Sequence, residues 1–483
     1  MRLGTSGPVG APAVGNIVVL GLVVLVASYA LSHGLNTVSF TFAAGVLFAL
    51  TMFGLVFLRS DWGIYLVIAS MLLSPEFGAG GSGDALRGNI TLRTEDFVLI
   101  VIGLSWLAKT AVNKELGLIA KTPLNMPIVL YVAATTLATL IGYLTGTVRT
   151  QSGFFFVLKY VEYFVVYYMV VNNVRDRPHA WRMVAVAFIT AAIVSVVGIA
   201  QIPSGERVSA PFEGEVGEPN TFGGYLLILM AIAGGIALET RRFRMRMSML
   251  ALLALMTIPF AFTLSRASFL GVVPAMLVLT ALTTRRRFMV GLLLVGLVFS
   301  PLIIAVAPSS VTKRVLYTFE PERGQPTVRV GHVGLDPSTS ARLFSFRQAI
   351  EGWQNRPVFG YGVTGFGFMD AQYARTLVET GIVGLAAFLW LLWSIWRTST
   401  VRLGQLDDPD DRGLTVGFVA GMVGLLVHAI GSNTFIIVRI MEPFWLFAGI
   451  VTMLPVLERP PAPAPPPAPA LSPRPAWTVT RLR

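Results

Sequence analysis

The sequence predicts an all-α fold: a polytopic membrane helix bundle of about 12–14 transmembrane helices with a large helical periplasmic loop. Three observations predict it. The chain of 483 residues is 54% hydrophobic and only 13% charged, with a mean hydropathy of +0.70; a soluble domain carries about 25% charged residues. Apolar runs approaching the ~20 residues needed to cross a bilayer recur along most of the chain. Lys and Arg concentrate in alternate short connections, the pattern that orients membrane helices.

The apolar runs fall at 17–32, 38–58, 62–73, 96–108, 125–144, 154–172, 181–200, 220–238, 248–264, 267–283, 288–306, 375–396, 413–431 and 436–456. The first has a single basic residue, Arg2, before it and reads as an uncleaved anchor rather than a signal peptide. The runs at 62–73 and 96–108 are the shortest signals. Arg241–Arg246 and Arg285–Arg287 lie two spans apart and so share a side; Arg175, Arg177, Arg182, Lys109, Lys114, Lys121, Arg397, Arg402 and Arg412 fall there too. That side is assigned to the cytoplasm, with both termini inside. The division is 1–306 for the first eleven spans, 307–374 for a periplasmic loop too long to be a plain connector, 375–456 for the last spans, and 457–483 for a Pro/Ala-rich cytoplasmic tail expected to be disordered.

The net charge of +12 then reads as a topology signal and not as a nucleic-acid-binding surface. Cysteine is absent, which excludes disulfides, thiolate metal sites and a cysteine nucleophile. The four histidines, at 33, 179, 332 and 428, are too scattered to predict a metal cluster, and no cofactor is expected.

The polar clusters all map to the outer face. Nucleotides are scarce there, so a reaction must use an activated substrate, and a lipid-linked diphosphate is one a membrane enzyme can reach. Thr263–Leu264–Ser265–Arg266–Ala267–Ser268 separates two spans; Arg266 either grips phosphate oxygens with its planar fork or snorkels to the interface. Glu213–Asn220 leads into a span, with Glu218 as a cavity carboxylate or part of a capped acidic loop, and Asn220 as a possible cap. Arg207 reads as a solvated loop charge or a second phosphate contact. In 342–353, apolar residues at 343, 346, 350 and 353 predict an amphipathic helix, with Arg342 and Arg347 facing either a site or water. Phe359–Gly367 contains the spacing GxGxxG but lacks βαβ context, so it reads as a close backbone approach to a ligand or a tight turn. Asp370 and Glu379 stand at the outer boundary, as functional carboxylates or as structural partners of Arg375. Lys159 and Glu162, at i,i+3, read as a mutual pair or a cavity wall.

The ordered set Glu218–Pro219–Asn220, Leu264–Ser265–Arg266–Ala267, Arg342, Pro357–Val–Phe–Gly–Tyr–Gly–Val–Thr–Gly–Phe366, Asp370, Tyr373 and Leu377–Val–Glu379–Thr–Gly381 resembles the O-antigen ligase-related superfamily, which includes O-antigen ligases and Wzy-type polysaccharide polymerases. The resemblance covers about 150–456. It implies metal-independent glycosyl transfer from an undecaprenyl-diphosphate-linked glycan, under a large periplasmic loop. Arg266 and Arg342 match the arginines that hold the diphosphate in the family. Ligases usually place a His about nine residues before the closing Glu; Asp370 stands there, which favours a polymerase. The catalytic candidates are therefore Arg266, Arg342 and Asp370. Arg207, Glu218, Asn220, Ser265, Arg347, Tyr373 and Glu379 are substrate-binding candidates.

The expected activity is polymerisation of lipid-linked repeat units of O antigen, capsule or exopolysaccharide, with inversion. The nearest alternative is a ligase transferring glycan to lipid A-core or another acceptor. A transporter or flippase would instead place charge near the midplane in two similar halves, and a scaffold would need no converging arginines. Expected partners are the lipid-linked donor, a glycan or lipid-linked acceptor, membrane lipid and a chain-length regulator or other envelope protein.

Overall fold

A chain in hydrocarbon must close its backbone hydrogen bonds within each segment, and the apolar runs do so as helices. The computed structural model describes residues 40–73, 76–77, 92–112, 120–148, 152–211, 217–306, 309–317, 328–330 and 333–458. The expected first span at 17–32 and the tail beyond 458 lie outside them. Among the described residues, sixteen α-helices account for the fold.

These are α1 (Phe40–Leu58), α2 (Ser60–Leu73), α3 (Thr94–Val112), α4 (Asn125–Leu144), α5 (Ser152–Asn173), α6 (Arg177–Gln201), α7 (Pro219–Glu239), α8 (Phe243–Phe262), α9 (Arg266–Leu282), α10 (Arg286–Val298), α11 (Ser300–Val306), α12 (Ser309–Leu316), α13 (Pro337–Asn355), α14 (Gln372–Leu403), α15 (Pro409–His428) and α16 (Val438–Glu458). Two antiparallel pairings of two residues each, Glu76–Phe77 with Leu92–Arg93 and Arg329–Val330 with Val333–Gly334, are the strand content of the described residues. Seven of the helices, counting α6 with the turn that follows it, are long and apolar enough to cross a membrane, and α9 is a shorter apolar helix. The chain is a multi-pass α-helical membrane protein.

Two spans differ from expectation. The run 288–306 is broken into α10 and α11 before Pro301, whose ring cannot continue the preceding turns. The run at 375–396 extends into a 32-residue helix, α14, interrupted at Gly381, where φ is +65°.

The centre is α7 against α15, with α9 on α15's other side. Small residues permit this approach. A Cβ on Gly235 would sit 2.6 Å from the Gly417 amide nitrogen, and one on Gly271 2.7 Å from the Gly424 carbonyl oxygen. Helix α16, almost wholly buried, runs beside α5 and α7.

Alternation sorts the polar helix ends to two ends of the bundle. At one end Arg177 binds Asp408 and Asp411, Trp181 donates to Asp411, and Glu239 accepts from Thr283 and Thr284. At the other end lie the start of α7, the α8–α9 connection, α13 and the α15–α16 connection. This second end carries the candidate site.

Candidate functional site

The α8–α9 connection is tight. Thr263 ends one helix, Leu264 takes a left-handed conformation at φ +50°, and Ser265 starts α9 by accepting the Ser268 amide. Ser265 Oγ also donates to Asn220 Oδ1 at 2.8 Å. Asn220 therefore ties the first turn of α7 to α9 instead of capping its own helix. Glu218 accepts from the Thr221 hydroxyl at 2.9 Å. This stitching fixes Arg266 as the first residue of α9.

Arg266 meets Asp336 through both prongs of its fork, at 2.6 and 3.0 Å. Asp336 is fully buried and is also the N-cap of α13, accepting the Ser338 and Thr339 amides and the Thr339 hydroxyl. Burial alone would raise its pKa. The hydrogen bonds from Arg266 and Thr339, with the Arg266 charge, outweigh it and hold the carboxyl at about 2.

One and a half turns along α13, Arg342 reaches Asp370 at 3.3 Å. A Cβ on Gly431 would lie 3.5 Å from Ala267 Cβ and 3.8 Å from Arg342 Nε, so the α15–α16 connection brings Arg342 beside the start of α9. Arg342 Nε is buried with no hydrogen-bond partner among the described residues. Asp370 is held in place by its neighbours: Asn433 donates to the Met369 carbonyl, Gln372 amide to Ala429, and Tyr373 hydroxyl to Leu426.

Of the two readings of Arg207, the solvated loop charge does not hold. The side chain is half-buried and donates to the Thr263 and Leu264 carbonyls at 3.0 and 3.4 Å. Burial, then the charges of Arg314, Arg266 and Arg342, push its pKa down to about 10. Arg314, on α12, is lowered by burial and by Arg266, with Arg342 adding and Asp336 opposing. Four guanidinium groups thus share one region, with Asp336 and Asp370 as their paired carboxylates.

Other candidates lie apart from this cluster. Arg347 pairs with Glu351 one turn on, at 2.9 Å, both largely exposed to water. The predicted apolar face of this helix is also rotated. Leu343 and Ile350 are exposed, whereas Ala349 and Gly352 are buried, because these small residues let α13 close on Phe366 and Val378. Glu379 is buried and binds Arg375 at 3.1 Å, and it accepts the Thr364 amide at 2.9 Å. The glycine loop is a tight turn packed backbone to backbone: Gly362 donates to the Glu379 carbonyl at 2.7 Å and Tyr361 to that of Val378 at 3.1 Å. Lys159 and Glu162 face each other at 3.5 Å.

Three residues of this region were not singled out from sequence. Asp336 had a readable signal, Asp–Pro followed by Ser–Thr, the signature of a capped helix start. Arg314 sits in a short basic amphipathic stretch. His428, at the end of α15, is fully buried and shares a 2.7 Å hydrogen bond with Thr434; its distance in sequence from every other motif hid it.

No curated protein matches the chain. Residues 251–389 match the family described as O-Antigen ligase (Wzy_C). That stretch runs from α8 into α14 and includes Ser265, Arg266, Arg314, Asp336, Arg342, Asp370, Tyr373 and Glu379. The stretch carrying most of the arginine cluster is therefore similar to an O-antigen ligase domain, which bears out the resemblance of this membrane protein to the O-antigen ligase-related superfamily of lipid-linked glycan-processing enzymes.

Proposed function

We propose that the chain is an inner-membrane glycosyltransferase that polymerises undecaprenyl-diphosphate-linked repeat units on the periplasmic face. The observation that carries this reading is the convergence of Arg207, Arg266, Arg314 and Arg342 around Asp336 and Asp370 at one end of the bundle. Four cations against two paired carboxylates favour a ligand with several negative charges, and guanidinium forks match phosphate oxygens.

In the proposed reaction the acceptor hydroxyl attacks the anomeric carbon opposite the diphosphate. The new C–O bond forms as the bond to the diphosphate oxygen breaks, and that oxygen leaves with the electron pair. Arg266 and Arg342 meet the charge developing on it, the contribution that usually dominates such catalysis. The hydroxyl proton passes to the Asp370 carboxylate, which faces the same region and is partly open to solvent. Asn220 and Ser265 fix the start of α9, and Arg207 and Glu218 come from the α6–α7 connection, Arg207 binding the carbonyls that precede α9 and Glu218 the first turn of α7. Tyr373 holds the backbone next to Asp370, and Glu379 braces the glycine loop behind it. Arg347, paired in water, fits a contact with the glycan.

The family match also supports a ligase acting on lipid A-core. Purified protein given a defined lipid-linked repeat unit, with and without lipid A-core, separates the two. Chain growth without the second acceptor is the expected result; transfer only in its presence makes the protein a ligase, and no transfer in either case overturns the reading.

A further inference from the structure

Helix α12 (Ser309–Leu316) combines Val311, Val315 and Leu316 with Lys313 and Arg314, the composition of a helix lying in a membrane interface. It rests on α8 near the arginine cluster. Between α12 and the α8–α9 connection is an open groove of about 550 Å³ lined by Leu264, Ser310, Lys313, Arg314, Leu316 and Tyr317. Its inner wall, Leu264, stands two residues before Arg266, and the Leu264 carbonyl accepts from Arg207. Its outer wall includes Leu316, which is 62% exposed.

The groove therefore joins two environments. One end borders the guanidinium groups. The other opens past the exposed Leu316; α10 and α11, which precede α12 in the chain, expose Leu294, Leu297, Val298 and Leu302, and Met289 is the buried residue of α10. Arg314 Nε has no hydrogen-bond partner among the described residues, and its guanidinium stands 6.0 Å from the Tyr317 ring.

We propose that Arg314 is a further diphosphate contact supplied by an interfacial helix, and that this groove carries the donor's hydrocarbon chain out past Leu316 toward the bilayer. The inference rests on the function proposed above and adds a residue and a path to it. The occupant is an amphiphile with a diphosphate head. Charge complementarity selects it over a phospholipid, which offers a single phosphate to the same cations. The apolar wall selects it over a free diphosphate.

The test is equilibrium binding to the full-length protein in phosphatidylcholine nanodiscs, with inorganic pyrophosphate and undecaprenyl diphosphate as probes and phosphatidylglycerol as competitor. Arg314→Gln is expected to weaken both probes about tenfold or more. Leu316→Gln is expected to weaken undecaprenyl diphosphate alone. Ser309→Ala, an exposed position on the same helix outside the groove lining, controls for loss of α12 and is expected to change either probe less than Arg314→Gln. Unchanged binding by Arg314→Gln and Leu316→Gln, with Arg266→Ala and Arg342→Ala impaired, overturns this inference and spares the proposed function. Normal binding of both probes by Arg266→Ala and Arg342→Ala overturns the proposed function itself. Phosphatidylglycerol displacing undecaprenyl diphosphate at equal concentration overturns the assignment of the groove to the donor.

Discussion

Arg266 shows why residue chemistry matters more here than charge. Its fork meets Asp336 through two parallel hydrogen bonds, a geometry that lysine cannot reproduce. Arg266→Lys should therefore lower glycan transfer by about a hundredfold or more while the protein still inserts, as polymer length in cells and protein level in membranes would report. Asp336 makes a pH prediction. Its folded pKa of about 2 lies below the ordinary 3.8, so it stabilises the fold above about pH 4, and that contribution fades as pH falls toward 2. The thermal midpoint of the detergent-solubilised protein should fall more between pH 5 and pH 3 in the wild type than in Asp336→Asn. An equal fall in both would show that Asp336 carries no such contribution.

At the scale of elements, glycine positions set how closely helices meet. Gly417→Leu would drive a side chain into the backbone of α7 around Ala231 and Ile232, where a Cβ already lies 2.6 Å from the Ala231 carbonyl. A loss of stability of about 3 kcal/mol or more is expected, seen as reduced yield of monodisperse protein. Gly381→Val should act similarly, because the break in α14 has φ +65° and the site abuts the Val358 carbonyl. The spans themselves were legible because hydrocarbon leaves a chain little choice but helix. The break at 299–301 needed Pro301 to be given its due. The face of α13 was misread because hydrophobicity alone cannot tell that Ala349 and Gly352 earn burial by being small.

On the whole-molecule scale, two polar ends face opposite ways along the bundle. The proposed orientation puts Arg347 and Glu351 in the periplasm and Gln405 and Asp407 in the cytoplasm. The chain has no cysteine, so single replacements give clean labels. Glu351→Cys should react with an impermeant maleimide in spheroplasts, and Gln405→Cys only after permeabilisation; the reverse pattern would invert the topology. The ordered motifs made Arg266, Arg342 and Asp370 legible from sequence. Asp336, the partner of Arg266, was not, because it lies 70 residues away and pairing at such separation is decided by packing. Glu379 differs: its partner Arg375 is one turn away and was readable from the spacing, and the structure forms that pair.

The double engagement of Asp336 has a consequence for timing. The carboxylate that begins α13 also occupies the fork of Arg266, so in the proposed reaction a diphosphate would reach that fork by exchange of one anion for another. A singly charged ion offers too little to displace a buried, bidentate partner. A diphosphate offers more, and in taking Arg266 it would leave Asp336 bound only to its own helix, loosening the tie between α13 and α9. Arrival of the donor would thus be felt at Arg342, on the same helix, before any acceptor is in place, which makes an ordered sequence of donor first and acceptor second the natural kinetic outcome.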